Sequence, residues 1–107
     1  MSGETLKGHL DLLLLAIVAE RPAHGYAIIE SLRDRSDGAF DLPEGTVYPA
    51  LHRLEAAGSI QSHWATGASR KRRIYEMTAA GREALQVKRR EWSDFASGVG
   101  AILREMA

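Results

Sequence analysis

The chain has 107 residues, a length that favours one modest domain in which about 60–70% of the surface of the unfolded chain becomes buried. Hydrophobic residues make up 45% and charged residues 26%, which excludes a disordered chain, and the absence of cysteine excludes disulfides, thiolate zinc sites and cysteine nucleophiles. Lysine plus arginine and aspartate plus glutamate number 14 each, so the formal net charge is zero. Taken alone, this sum argues against a polyanionic partner.

The longest apolar run, residues 10–19, predicts a buried helix rather than a membrane span. It contains Asp11 and is about half as long as a bilayer crossing requires. The stretch before it has Glu4 balancing Lys7, and no small-residue cleavage site follows it before Arg21, so a signal peptide is not expected. We therefore expect no membrane partner and a cytoplasmic location.

The first part of the chain predicts two helices. Apolar residues spaced three and four apart mark the first helix, which is apolar nearly all round: Leu10, Leu13, Leu14, Ile17 and Val18. A second, amphipathic helix begins near His24 or Gly25 and ends at the Asp-Gly pair of residues 37–38. Residues 39–42 precede Pro43, which restricts the residue before it, and so predict a short extended segment.

A third helix begins at residues 44–46, and Pro49 fixes this start. A proline deep in a helix costs about 3 kcal/mol, whereas in the first turn its missing N–H has no helical partner to lose. Gly58 is placed to end the helix. The inward stripe comprises Val47, Leu51 and Leu54. The outward face, with its two flanking residues, comprises Gly45, Pro49, His52, Ala56, Tyr48 and Arg53.

The second half of the chain predicts a hairpin and then a long helix. Residues 60–64 alternate in polarity and residues 73–77 are rich in β-forming side chains, so two strands are expected around a loop at residues 65–70. Thr78 can cap the final helix. In that helix, apolar residues recur every seven positions, as in a coiled-coil seam that only Lys88 interrupts. The two series of this seam are Leu85, Trp92, Val99 and Met106, and Phe95 and Ile102.

This order of elements predicts a mainly α fold with a small β-hairpin. We interpret it as a winged helix-turn-helix over residues 8–77 and a dimerisation helix over residues 78–107, within one domain over residues 1–107. The charges are distributed unevenly: residues 1–42 carry 4 basic and 7 acidic side chains, whereas residues 43–77 carry 5 and 3. Four of those five basic residues are consecutive, at positions 70–73.

Three stretches of the sequence resemble the signature motifs of PadR-like transcriptional regulators. They are His24-Gly25-Tyr26, the run Gly45-Thr46-Val47-Tyr48-Pro49-Ala50-Leu51-His52-Arg53-Leu54, and residues 72–81. The resemblance covers roughly residues 8–106. It implies a homodimeric bacterial repressor whose third helix enters the major groove of DNA and whose wing contacts the backbone or the minor groove.

The residues themselves support a site for double-stranded DNA at the third helix and the wing. An exposed helix start offers hydroxyls and N–H groups to phosphates, and a basic run binds through counterion release. The candidate DNA-binding residues are Gly45, Thr46, Tyr48, Pro49, His52, Arg53, Arg70, Lys71 and Arg72. Arg53 can pair with guanine or grip the backbone, while Tyr48 and Pro49 have structural roles as their alternative. His24 and Tyr26 either pack on the first helix or meet a phosphate.

The final helix predicts the dimer interface, which would pair two copies over a pseudo-palindromic operator. The candidate dimerisation residues are Leu85, Trp92, Phe95, Val99, Ile102 and Met106. In some relatives within the PadR-like family, a tryptophan in this setting stacks on planar hydrophobic effectors at the dimer centre, and the resemblance extends this role to Trp92 and Phe95. The alternative is a dimer core without a cavity, because small residues around Trp92 allow close helix approach.

No other chemistry is indicated. The four histidines include no pair at i, i+4 spacing, so we expect no metal site. Phosphate-binding loops and nucleophile motifs are missing, so we expect no enzyme, no catalytic residues and no cofactor. The alternative function is a winged-helix module for protein–protein interaction.

Overall fold

The computed structural model describes residues 3–65 and 71–105. Its helices and strands are, in chain order, α1 (Gly3–Lys7), α2 (Leu10–Glu20), β1 (Ala23–His24), α3 (Gly25–Arg35), α4 (Glu44–Ala56), β2 (Ile60–Trp64), β3 (Arg73–Met77) and α5 (Ala79–Glu105). The mainly α fold with a small sheet is as the sequence predicts. The helix α1 and the strand β1 were not predicted, because each is too short to produce a periodic pattern.

Helix α3 begins and ends at residues that suit those positions. The Nδ1 atom of His24 accepts a hydrogen bond from the backbone N–H of Ala27 at 3.2 Å and so caps the helix start. After the helix, Asp37 and Gly38 adopt φ angles of 53° and 85°, in the left-handed region that favours glycine. Residues 36–40 form turns, so the prediction of an extended segment over residues 39–42 is wrong for residues 39 and 40, and residues 41–43 have no regular secondary structure.

Helix α4 begins at Glu44, within the predicted range, but the position of Pro49 differs from the prediction. Pro49 is the sixth residue of the helix and lies inside it, not in its first turn. Since proline has no N–H, the carbonyl oxygen of Gly45 lacks the donor that a helix supplies four residues on. The exposed edge of α4 therefore carries a backbone acceptor as well as side chains.

The sheet has three antiparallel strands in the order β1–β3–β2, and not the two of the predicted hairpin. Tyr75 in the central strand is paired with Ala23 of β1 and with Ser62 of β2. The β2–β3 hairpin, including Lys71 and Arg72, is called the wing below. Because β1 leads directly into α3, the sheet ties the base of the wing to the start of that helix.

The core lies between α2, α3, α4, the sheet and the first turns of α5. Its buried apolar side chains include Leu14, Leu15, Ile28, Val47, Leu51, Ile60 and Tyr75. Leu85 is also part of this core and keeps only 8% of its surface exposed. The structure thus corrects its predicted place on a dimer seam, because its side chain is used within its own chain.

The start of α5 is fastened to the turn before the wing. The Thr78 hydroxyl accepts a hydrogen bond from the N–H of Gly81 at 3.0 Å, as predicted for the cap, and donates to the carbonyl of Gly58 at 2.6 Å. A Cβ atom added to Gly81 would lie 1.9 Å from the carbonyl oxygen of Ser59, so only glycine permits this close approach. In the part of the chain that the structure describes, no helix is long and apolar enough to cross a membrane.

Candidate nucleic-acid interface

A groove of about 300 Å³ runs between the start of α3, one flank of α4 and the wing, and we call it the wing groove. Its lining is aromatic and basic: His24, Gly25, Tyr26, Tyr48, His52, Trp64, Lys71, Arg72, Arg73 and Tyr75. None of these lining residues is acidic. The groove therefore brings together four of the predicted DNA-binding residues, which are Tyr48, His52, Lys71 and Arg72.

Tyr48 lies at the bottom of the wing groove, against the start of α3. A Cβ atom added to Gly25 would be 2.3 Å from the Tyr48 hydroxyl, so the ring lies where only glycine leaves room. Tyr26 meets this ring edge-on, with the ring centroids 6.5 Å apart. Burial, followed by the charge of Glu44, raises the pKa of Tyr48 above its ordinary value of 10.0. The hydroxyl stays protonated at neutral pH and can donate a hydrogen bond to an anion.

Arg73 is built into the wing itself. Its Nε donates a hydrogen bond to the Ser62 hydroxyl at 2.7 Å, and this hydroxyl in turn donates to the carboxylate of Glu55 on α4. The guanidinium also lies 5.1 Å from the centre of the Trp64 ring, a cation–π contact. These contacts hold the wing against α4 and fix the orientation of Arg73.

The two residues before Arg73 are exposed at the rim of the groove. Lys71 projects into solvent, while Nη1 of Arg72 lies 2.9 Å from Nε2 of His24 at the start of α3. Arg70, the first residue of the predicted basic run, lies outside the described residues. The basic run is therefore divided between Arg73, which supports the wing, and the exposed pair that faces the groove.

The remaining predicted DNA-binding residues lie on the opposite flank of α4. Gly45, Thr46, Pro49 and Arg53 line a second open depression together with residues of α1 and of the start of α2. Nη2 of Arg53 lies 3.2 Å from Oδ1 of Asp11, in an ion pair whose arginine side chain is 63% exposed. The structure thus places the predicted residues of α4 along both edges of one exposed helix face.

The sequence interpretation assigned no DNA-binding role to Trp64 and left His24 and Tyr26 with two alternative roles. Trp64 is 56% exposed, at the end of β2 beside the basic pair. His24 and Tyr26 belong to a motif that the sequence shows clearly, but their place in the groove depends on the pairing of β1 with β3. Strand alternation places Trp64 on the same face as the buried Ile60, so the sequence pattern gives no signal for its exposure at the end of β2.

A second exposed surface lies on α5, which we call the apolar stripe. It comprises Trp92, Phe95, Val99, Ile102 and Leu103, whose exposed fractions range from 39% to 64%. The Trp92 ring contacts His9 edge-on, with centroids 5.2 Å apart, and lies 6.2 Å from the Phe95 ring. Met106, the last predicted member of the seam, lies outside the described residues.

An open cavity of about 420 Å³ begins at this stripe. Trp92 and Phe95 line it on one side, and the other side is formed by α1, α2 and Phe40. The cavity is mainly apolar in its lining: Thr5, Leu6, His9, Leu12, Leu13, Phe40, Trp92 and Phe95. The two residues predicted for effector binding are therefore adjacent to a space large enough for a small molecule.

Helices α2, α3 and α4 pack together, α4 has an exposed edge, and the three-stranded sheet ends in a wing. This arrangement defines a winged helix-turn-helix domain, to which α5 is appended. Among the described residues, no three His, Cys, Asp or Glu side chains are grouped so that they could hold a metal ion. A winged helix-turn-helix fold of this kind is typical of transcriptional regulators.

Comparison with known proteins identifies the family. The transcriptional regulator PadR-like family matches residues 14–87, and the chain belongs to this family. It is 38% identical to a transcriptional regulator of Mycobacterium tuberculosis, over 90% of this chain and 87% of that protein. Among solved structures it is similar to a transcriptional regulator from Clostridium thermocellum, with a TM-score of 0.85, 28% identity and coverage of 94% and 96% of the two chains. A PadR family transcriptional regulator from Eggerthella lenta matches with a TM-score of 0.81, 35% identity and coverage of 94% and 86%.

Proposed function

We propose that this regulator is a cytoplasmic homodimeric repressor that binds a pseudo-palindromic operator. The observation that carries the proposal is the wing groove, whose described lining holds three cationic side chains and no acidic one, directly beside the exposed edge of α4. In this arrangement α4 enters the major groove, and the wing contacts the backbone or the minor groove. Membership of a family of transcriptional regulators, which implies DNA binding, supports the same interpretation.

A second copy of the chain is the partner that fits the apolar stripe. Stripes of this kind, with several large apolar side chains exposed along one helix, mark protein–protein interfaces more often than free surface. Two copies paired through α5 would present two α4 helices on one face of DNA, with half-sites about 10 base pairs apart or a multiple of that. Repression would then be steric, since the bound dimer occludes a promoter.

A planar hydrophobic effector is the ligand that fits the cavity beside the stripe. Trp92 and Phe95 offer aromatic faces at its mouth, and in a dimer their symmetry mates would be close by. An effector bound there would change the angle between the two α5 helices, separate the two α4 helices and weaken DNA binding.

Salt dependence of DNA binding tests the proposal directly. The duplex is a fluorescein-labelled copy of the DNA upstream of the coding sequence, and its binding is measured by anisotropy. The logarithm of the affinity should fall linearly with the logarithm of the salt concentration, with a slope of about −0.9 per neutralised phosphate. The double variant Lys71→Ala and Arg72→Ala should weaken binding at least tenfold and reduce that slope by about 2 per chain. Arg90→Ala, which removes an exposed cation on α5, is the matched control and should leave binding unchanged.

The protein-interaction alternative predicts a different result. If the affinity for duplex DNA barely changes between low and moderate salt, or if the Lys71 and Arg72 substitutions leave it intact, the proposal is wrong. The effector proposal has its own test in a Trp64→Phe background, where planar hydrophobic dyes should quench the emission of Trp92. Unchanged emission at saturating dye would exclude this cavity as the effector site.

A further inference from the structure

His24 occupies the point at which the start of α3 meets the wing, and both of its ring nitrogens have close neighbours. Nδ1 accepts the capping hydrogen bond from the N–H of Ala27 at 3.2 Å. Nε2 lies 2.9 Å from Nη1 of Arg72, which comes from the wing, 48 residues further along the chain. The imidazole is therefore a junction between two elements that lie side by side.

These two contacts make conflicting demands on the imidazole. A neutral imidazole has one N–H donor and one acceptor nitrogen, and a guanidinium has only donors. If Nδ1 accepts the cap, Nε2 carries the hydrogen and points it at another donor, on Arg72. The other tautomer satisfies Arg72 but points a hydrogen at the N–H of Ala27, and a protonated ring has no acceptor for either. In every protonation state one donor faces another, so an acceptor is missing at this junction.

The lining of the groove around the junction supplies more donors, and no described lining residue is acidic. Lys71 and the Tyr48 hydroxyl line the same groove, and His52 faces it from α4. Glu44 is the carboxylate whose charge acts on Tyr48, but it does not line the groove. An oxygen anion that entered here would meet several hydrogen-bond donors and no repelling charge among the described lining residues.

We propose that His24 and Arg72 form a clamp for one phosphate oxygen of the DNA backbone, an inference that rests on the proposed function. The oxygen would accept from Nε2–H of His24 and from Nη1–H of Arg72 at the same time, while Nδ1 keeps its capping bond. Two donors that share one oxygen stand about 4.5 Å apart, so the exposed Arg72 side chain moves outward by roughly 1.5–2 Å to admit it. The conflict between the two donors is thereby removed on binding.

Such a clamp positions the protein on DNA and does not read its sequence. A phosphodiester oxygen carries no base information, so the contact fixes how the wing and the start of α3 lie on the backbone. It also makes the wing contact dependent on a residue outside the wing. His24 is thus assigned as a phosphate-binding residue in addition to its role as the cap of α3.

Two substitutions separate the roles of the two ring nitrogens. In His24→Asn the amide oxygen can replace Nδ1 as the acceptor of the cap, because asparagine is a favoured capping residue, but no donor reaches the position of Nε2. In His24→Gln the terminal amide can reach the position of Nε2 and donate there, but the cap is lost. The probe is an arbitrary labelled duplex of about 30 base pairs at about 50 mM salt, because phosphate contacts are independent of sequence.

The clamp predicts that His24→Asn melts at the same temperature as the parent protein but binds the duplex about tenfold more weakly. It predicts that His24→Gln melts at a lower temperature but binds the duplex with an affinity within about twofold of the parent. The slope of affinity against salt should stay unchanged in His24→Asn, since no charge is removed, but fall by about 0.9 per chain in Arg72→Ala. In the Arg72→Ala background, His24→Asn should have less than about a twofold further effect, because the shared oxygen is already lost.

A purely structural histidine gives the opposite pattern, with parent-like binding in His24→Asn and weakened binding in His24→Gln, and this result would overturn the clamp. The clamp would also be overturned if the losses of affinity caused by Arg72→Ala and His24→Asn alone multiplied fully in the double variant. The proposed function fails separately, if the parent protein shows no salt-dependent binding to any duplex.

Discussion

The wing groove and the apolar stripe are both exposed, but they differ in how much of their structure is made within one chain. In the groove, the side chains are held by contacts from neighbouring elements: Arg73 is anchored through Ser62 to Glu55, and Tyr48 rests on Gly25. On the stripe, Ile102 and Leu103 are more than half exposed at the far end of a single helix. The side chains of the groove are thus held in place within one chain, whereas those of the stripe would become buried only against the proposed second copy.

The uneven distribution of charge along the chain explains why the zero net charge is uninformative. Acidic side chains are concentrated in the first 42 residues, where Glu20 pairs with Arg35 and Asp11 pairs with Arg53. The basic excess of residues 43–77 is concentrated at the wing. A neutral chain can therefore present a strongly cationic groove, and its affinity for DNA depends on a few placed contacts more than on overall attraction.

The largest effect is expected from a charge on the apolar stripe. If two copies pair through the stripe as proposed, Ile102→Asp should convert the dimer to a monomer, because a carboxylate would be buried between two chains. Duplex affinity should then fall by about 100- to 1000-fold through loss of bivalency. Sedimentation velocity and anisotropy measure the two effects. Ser97→Asp adds the same charge to the opposite side of the helix and should remain dimeric. A dimeric Ile102→Asp would place the interface elsewhere.

The next largest effect is expected at the contact that fixes the start of α5 to the turn before β2. Gly81→Ala should lower the free energy of unfolding by about 2–3 kcal/mol, because the new methyl group collides with the backbone oxygen of Ser59. Urea denaturation provides the measurement. In the same helix Gly98 has no heavy atom within 4 Å of an added Cβ, so Gly98→Ala should stabilise the chain by about 0.5–1 kcal/mol. Equal effects of both substitutions would contradict the close approach.

Alkaline pH should weaken the support beneath the wing groove. Burial, and then the charge of Glu55, raises the pKa of Tyr75 above its ordinary value of 10.0, although Arg73 opposes this shift. The unfolded chain loses this phenolic proton first, so the free energy of unfolding should fall as pH rises above 10.0. Urea unfolding at a series of pH values measures the slope. Tyr75→Phe should flatten it and Tyr26→Phe, at an exposed position, should change it less.

The smallest effect is expected from the acidic partner of Arg53. Asp11→Asn should change stability by no more than about 0.5 kcal/mol, since the pair is exposed, but it releases a cation on the flank of α4. Duplex affinity should rise about twofold to threefold at low salt. The control is Glu20→Gln, whose partner Arg35 lies at the end of α3. A rise of the same size in the control would show that only net charge matters.

Much of the fold could be predicted from the sequence because its signals are local. The alternation of residues 60–64 and the β-forming side chains of residues 73–77 predict both strands with their observed bounds, and Thr78 caps α5 as expected. The strand β1 could not be predicted, since two residues carry no periodicity and their pairing partner lies about 50 residues away. The heptad pattern places Leu85 on the seam, because such a pattern does not say which turns of the helix lie against the core of the same chain.

The candidate site was predictable as a set of residues but not as an arrangement. The motif around Thr46 and Tyr48 indicates an exposed helix, yet the division of its side chains between two flanks depends on how α1, α2 and the wing pack around it. The partners of the arginines are long-range as well: Arg53 is 42 residues from Asp11, and Arg72 is 48 residues from His24. Spacing in the sequence gives no access to such pairs.

The contact between Gly81 and Ser59 makes the start of α5 a pivot, so a rotation there displaces the far end of the helix. The helix has 27 residues and so is about 40 Å long, and it begins at the turn that joins α4 to the wing. A rotation of about 10° at this pivot displaces the far end of the helix by about 7 Å, roughly the rise of two base pairs. In the proposed dimer, a small change in the angle at which two copies meet would therefore alter the spacing of their α4 helices along the DNA.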